Sequence, residues 1–194
     1  MMTRIWDLLR CENMPDADVI IVGFRCAGAP LAYALHQAGV KVVVVDKDPF
    51  FTDQPMSTHA IQPYGMKMFD RLGLGDVVRD LAPRNSAFRF QVDDSYMQTD
   101  LDGTELDSRS PRRSKLDPAL QKVALAAGVD ARDKTRVIGL LSDGDRVTGI
   151  RVKDATSEFE LRAPLVVGAD GRHSTIKEPG WSATPSDSCP CASS

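Results

Sequence analysis

The sequence predicts an α/β fold in which a parallel β-sheet with a helical layer is joined to a three-stranded antiparallel meander. Three observations predict it. Two short runs without a polar residue, Val19–Val22 and Val42–Val45, flank a stretch in which Ala27, Leu31, Ala34, Leu35 and Ala38 recur at helical spacing. Strands apolar on both faces belong to covered parallel sheets, and strand–helix–strand is the unit that builds them. Further on, Val137–Leu141 and Val147–Val152 are joined through Asp143-Gly144, a hairpin signal. Finally, Leu165–Val167 is apolar again and runs into Gly168-Ala169-Asp170-Gly171.

In chain order, residues 1–16 read as a loose leader with one helical turn at Ile5–Leu9. After the first strand, Pro30 sits in the first turn of the helix, where its missing N–H costs little, and Gly39 stops it. Lys47–Gln62 is a long irregular stretch. Pro63 opens a helix to Leu72 that Gly73 closes, and a short helix follows around Asp76–Leu81. Ala87–Val92 is a strand, and the chain from Asp93 to Arg113 is polar and turn-rich. Ser114–Ala127 is a helix: Ser114 and Asp117 resemble a capping box, Pro118 lies in the first turn, and Leu116, Leu120, Val123 and Ala127 share a face. Glu158–Ala163 alternates strictly, with Phe159, Leu161 and Ala163 on one side, as a half-exposed strand should. From Glu178 onward, proline, serine and glycine dominate and no periodicity survives, which predicts a disordered tail over 178–194.

Composition narrows the function. The 194 residues suffice for one domain with a real core, and a net charge of −3 gives no reason to expect nucleic acid or an anionic membrane as partner. No apolar run approaches the ~20 residues that cross a bilayer, and the start lacks the apolar core of a secretory signal. Cys11, Cys26, Cys189 and Cys191 are too few and scattered for a disulfide framework, and Cys189-Pro-Cys191 reads as an incidental pair. The expectation is a soluble cytoplasmic protein.

The first unit carries the chemistry. A phosphate-binding turn uses one glycine for the tight turn, a second for close approach of a diphosphate and a third for helix–sheet packing. The helix that follows offers free N–H groups and its positive end to the anion. An acidic residue about 20 positions on accepts from a ribose hydroxyl. Gly23, Gly28 and Asp46 supply the first, third and last of these, but Arg25 stands where the middle glycine should be. Its Cβ would crowd a diphosphate lying over the turn, while its guanidinium could offer a planar, charge-assisted fork to the same phosphates. A second acidic motif, Asp170-Gly171, follows a buried strand and so falls at the carboxyl edge of the sheet, where open α/β folds bind ligands.

Taken together, "VGFRCAGAPLAYALHQAGVKVVVVDKD", "PRRSKLD" and "LVVGADGRHSTI" resemble, in order and spacing, the group A FAD monooxygenases, the flavin-dependent aromatic hydroxylases. The turn and "MSTHAIQPYGMKMFDRLGLGDVV" are most similar to a branch with a G-x-R-C-A-G turn and an S-T-H segment. The resemblance covers about Asp18–Lys177 and implies a Rossmann-like FAD/NAD(P)-binding fold over 17–177, with part of a substrate domain inserted at about 83–110. It implies that Gly23, Arg25, Ala27 and Gly28 face the FAD diphosphate, that Asp46 binds the adenosine ribose with Lys47 alongside, and that the backbone of Val137 meets the adenine. It places Arg113 on the flavin side of the cofactor, gives Asp170 and Gly171 to FAD and NAD(P)H, and sets Ser57, Thr58 and His59 near the flavin ring and substrate entrance. In that family NAD(P)H reduces the flavin and dioxygen is then used to hydroxylate an activated ring, so no side-chain nucleophile is required.

Members of the family run to roughly twice this length. After the D-G motif they continue with a substrate-covering sheet, a second G-D motif and a long helix, none of which follows Ile176 here. A truncated product is therefore expected, with one face of the first sheet uncovered. Two other readings stand beside the monooxygenase-like one: a non-catalytic fragment with weak or no FAD binding, and a geranylgeranyl-reductase-like flavoprotein or an NAD(P)-binding protein that uses the first unit alone.

Overall fold

A computed structural model of the chain describes residues 14–52, 60–171, 174 and 176. The readings of residues 1–13 and of the 178–194 tail lie outside the described residues.

Four strands form a parallel sheet in the order β5-β2-β1-β9. β1 is Val19–Val22, β2 Val42–Val45, β5 Asp130–Arg132 and β9 Leu165–Gly168. β1 is central, pairing with β2 from Val19↔Val42 to Val22↔Val45 and with β9 from Val19↔Leu165 to Val22↔Gly168. Helix α1, Gly28–Gln37, links β1 to β2. Beyond it lie α2, Pro63–Arg71, then α3, Gly75–Arg79, and α4, Arg113–Ala126.

The absence of polar residues from β1 and β2 follows from two cores that divide their side chains by the period of two. Val19, Ile21, Val42 and Val44 face the helices, packing with Ala29, Ala32, Leu116, Leu120 and Ala124. Ile20, Val22, Val43 and Val45 face the opposite way, onto Val137, Ile150, Val152 and Leu161. These last residues come from the meander β6-β7-β8: Arg136–Asp143, Arg146–Lys153 and Glu158–Arg162. The expected uncovered face is thus corrected. The meander closes it, because its alternating strands offer an apolar side to the sheet and a charged side to solvent, where Arg151 and Lys153 meet Glu160 and Glu158.

Two further corrections concern local structure. The polar stretch after Asp93 is not all turn: Ser95–Asp100 forms β4, antiparallel to β3, Ala87–Val92. Every residue of β4 is exposed, so no apolar alternation marks it. This two-stranded ribbon is the region read as a partial substrate domain. The capping box at Ser114 and Asp117 does not form. The helix begins at Arg113 with Arg112 as its N-cap and no side-chain cap, and the Asp117 carboxylate is engaged by Arg113 instead.

Candidate functional site

The carboxyl ends of the parallel strands β1, β2 and β9 share one edge of the sheet, here called its mouth, with the start of α1 at the turn after β1 and α4 bonded to that turn through Gln121. Gly23 takes the chain off β1 at φ 101°, a conformation that side chains with a Cβ rarely adopt. A Cβ there would also stand 2.5 Å from the Ala169 carbonyl oxygen and 2.9 Å from the Asp170 nitrogen. The first turn and the Asp170-Gly171 turn are therefore packed backbone against backbone. Ala169 N–H donates to the Val22 carbonyl at 2.7 Å and Gly23 N–H to that of Val45 at 2.8 Å, tying three strand ends together. Gly28 is equally constrained, since a Cβ on it would collide with the Gly23 carbonyl. That close approach lets α1 begin directly over the turn. No side chain caps α1 and no acidic residue lies in its first turn, so its positive end meets the mouth without a built-in counter-charge from the helix itself.

Asp46 ends β2 and is buried. One carboxylate oxygen accepts from Phe24 N–H at 2.8 Å and the other from Asp48 N–H at 3.0 Å. Its backbone is fixed as well, donating to the Arg132 carbonyl and accepting from Thr135 N–H at 2.8 Å. Each oxygen keeps a lone pair for a further donor such as a ribose hydroxyl. Lys47 beside it is exposed. Arg25 reaches across from the first turn to β2's exit, where its guanidinium donates to Asp48 at 2.6 Å. Ala27 and Cys26 are exposed at the start of α1, although neighbouring protein partly screens the Cys26 thiol from water.

On the other side of the turn, Arg113 makes two parallel bonds to Asp117, at 2.8 and 2.7 Å. Asp117 is almost fully buried, so this fork fixes the guanidinium at the N-terminus of α4. The bond to Asp117 raises the Arg113 pKa above its ordinary value, against the opposing effect of burial. Burial pushes the Cys26 thiol up, while the nearby Arg113 charge pulls it down.

Sequence reasoning missed Gln121. It lies one turn beyond Asp117 on α4, is buried, and donates to the Phe24 carbonyl at 2.7 Å while accepting from Phe51 N–H at 2.9 Å. It thereby clamps the first turn to the loop that follows β2. The Phe24 ring, fully buried, packs on Phe50 with centroids 5.0 Å apart, reinforcing the same link. Spacing from Leu116 and Leu120 puts Gln121 on the inner stripe of the helix, and a polar residue there was the available signal.

Of the residues expected at the site, Gly23, Arg25, Ala27, Gly28, Asp46, Lys47, Asp170 and Gly171 gather around the mouth, with Arg113 at the neighbouring helix end. Val137 stands at the start of β6, paired with Val152, its side chain in the core shared by sheet and meander. Its strand begins just after Thr135, which is bonded to Asp46. Ser57, Thr58 and His59 lie outside the described residues. Among the described residues no group of three or more His, Cys, Asp or Glu could hold a metal ion, and no helix is long and apolar enough to cross a membrane.

A parallel sheet with β1 at its centre, a glycine turn into α1 and a second loop from β9 define a dinucleotide-binding domain of the Rossmann type. The chain belongs to the FAD binding domain family, which matches residues 16–182. It is 30% identical over 175 residues to the FAD-dependent monooxygenase subE of Metarhizium robertsii, covering 84% of this chain and 52% of that protein. It is 26% identical to the digeranylgeranylglycerophospholipid reductase of Methanosarcina acetivorans, covering 82% of this chain and 39% of that protein. Among solved structures it is similar to aklavinone-11 hydroxylase in a ternary complex with FAD and aklavinone, with a TM-score of 0.69 and 26% identity over 84% of this chain and 34% of that one. The chain thus spans about half, or less, of the length of these relatives. The domain is of the kind shared by flavoprotein monooxygenases and reductases.

Proposed function

We propose that this chain is the FAD-holding part of a flavin-dependent oxidoreductase of monooxygenase type, acting on a small organic molecule in the cytoplasm with NAD(P)H as reductant. The observation that carries this reading is the mouth itself: Gly23 packed on the Asp170 turn, beside the uncapped end of α1. Two backbone turns packed together beside a positive helix end suit the diphosphate of an adenine dinucleotide.

FAD, when bound, supplies the acceptance of hydride and the activation of dioxygen, chemistry that side chains lack. The chain's part is to bind, orient and shield. Gly23, Ala27 and Gly28 offer the diphosphate a backbone surface, and Arg25 offers it a guanidinium. Asp46 would accept from the adenosine ribose, with Lys47 alongside, and the backbone of Val137 would border the adenine. Arg113, oriented by Asp117, would serve the flavin side of the cofactor together with Asp170 and Gly171. Ser57, Thr58 and His59 are assigned to the ring and substrate entrance.

The test is a titration of the purified chain with FAD. The reading expects quenched flavin fluorescence and yellow protein after gel filtration, followed by NADH or NADPH consumption in the presence of a phenol panel. Folded protein that emerges colourless refutes it. Likeness to the archaeal reductase favours a second reading, reduction of an alkene-bearing substrate by the same cofactor. Oxygen uptake coupled to substrate turnover separates the two.

A further inference from the structure

The Arg25–Asp48 pair has a consequence for affinity, which rests on the FAD reading above. Arg25 is rooted at the N-terminus of α1, where its carbonyl accepts from Ala29 N–H at 2.9 Å. Its guanidinium and the helix end together make one positive spot, the place at the mouth suited to an anion. Asp48 already delivers an anion there. Its N–H is anchored on Asp46 at 3.0 Å and its carbonyl accepts from Lys134 N–H at 3.4 Å, so a fixed backbone aims the carboxylate at Arg25, 2.6 Å away. The bond runs to a single carboxylate oxygen, and the side chains are 23% and 41% exposed. A part-exposed, single-contact pair is weak, whereas a diphosphate presents several acceptors and more charge to a planar fork.

We infer that Asp48 is an internal competitor for Arg25. Its carboxylate pairs with the guanidinium and competes with the diphosphate for it, so that this carboxylate sets the affinity for FAD. Asp48 thereby differs in role from Asp46, two residues earlier. Asp46 is buried and spends its carboxylate on backbone N–H groups, while Asp48 spends its own on a side chain that can change partners.

The experiment measures FAD dissociation constants by fluorescence quenching for the full 194-residue chain, wild type and three variants: Asp48→Asn, Arg25→Gln and the double substitution. Asp48→Asn is expected to bind FAD about two- to fivefold more tightly at low salt, with the gain shrinking as salt rises. Arg25→Gln is expected to weaken binding, and in that background removal of the Asp48 charge should bring no gain. Unchanged or weaker binding by Asp48→Asn overturns the inference, because Asp48 would then be orienting Arg25 rather than competing for it. A gain that persists without Arg25 also overturns it, since Asp48 would then act as a general repulsive charge. Should Asp48→Asn fail to fold, Asp48→Ser is read in its place. Absence of FAD uptake by wild type and every variant refutes the FAD reading itself, a result distinct from tight wild-type binding that Asp48→Asn leaves unchanged.

Discussion

Replacing Gln121 by leucine tests whether the first turn is held from α4. Leucine is close in volume and apolar, so the packing around position 121 changes little and the loss is of two hydrogen bonds. One bond satisfies the Phe24 carbonyl, in a residue with no solvent exposure, and the other the Phe51 N–H, in a residue that is 47% exposed. Water can replace the second partner but not the first. A buried carbonyl left unpaired costs about 1–3 kcal/mol, and the exposed bond adds about 0.5–1 kcal/mol. The expected loss is therefore about 1.5–4 kcal/mol, read as a lower denaturant midpoint and a fall in melting temperature of about 3–16 °C. Because the freed carbonyl belongs to the turn between Gly23 and Arg25, FAD affinity should fall more than it does for an equally destabilising change in the meander, such as Ile150→Ala. A Gln121→Leu protein within about 0.5 kcal/mol of wild type would refute the clamp, since that is the range of an uninvolved surface change.

Other substitutions address different parts of the mouth. Gly23→Ala meets both an unfavourable φ and the Ala169 carbonyl, so it should lose at least about 2 kcal/mol in chemical denaturation, and a neutral result would show that the two turns are not in contact. Burial works to raise the Asp107 pKa, but its ion pairs with Arg109 at 2.8 Å and Arg79 at 3.1 Å outweigh it and the net shift is downward. A depressed folded value means that the stabilisation is present above the unfolded pKa of about 4 and is lost as pH falls through the folded one. Asp107→Asn should thus be less stable than wild type at pH ~7 and should lose less on acidification; parallel pH profiles would contradict this. The Cys26 residue is exposed, but partial desolvation holds its thiol pKa up against the pull of Arg113, so little thiolate is present and it should react slowly with disulfide reagents near neutrality. Arg113→Met should raise its pKa further, and a reaction midpoint that falls instead would break the assignment.

The sequence makes the first unit readable because burial on both faces removes every polar residue from Val19–Val22 and Val42–Val45, and because Gly23 and Gly28 are demanded by backbone contacts that no other residue tolerates. β4 is hidden for the opposite reason: wholly exposed, it owes its existence to pairing with β3 and has no apolar rhythm. β5 has three residues, too few to show a period. Asp117 looks like a cap because acidic residues at a helix start usually are. Its pairing with Arg113 depends on burial, which spacing alone does not reveal. Asp48 and Gln121 escaped for a related reason, since their partners lie 23 and 97 positions away. The covered face of the sheet escaped because the strands of the meander say that they have an apolar side, not what they set it against.

β1 lies between β2, which follows it closely, and β9, which begins at Leu165. At ~5–20 residues per second, a ribosome needs roughly 6–24 s to travel the stretch between the two neighbours of β1, from β2 to β9. Throughout that interval the Val-Ile-Ile-Val segment has one flank unzipped, and the loop bearing Asp170 does not yet exist. This end of the sheet is therefore completed only with β9, the last of the described strands to emerge, and a nascent chain cannot use the coenzyme as a template for its early folding steps. Protection of β1 during synthesis falls instead to the helices that pack on it first.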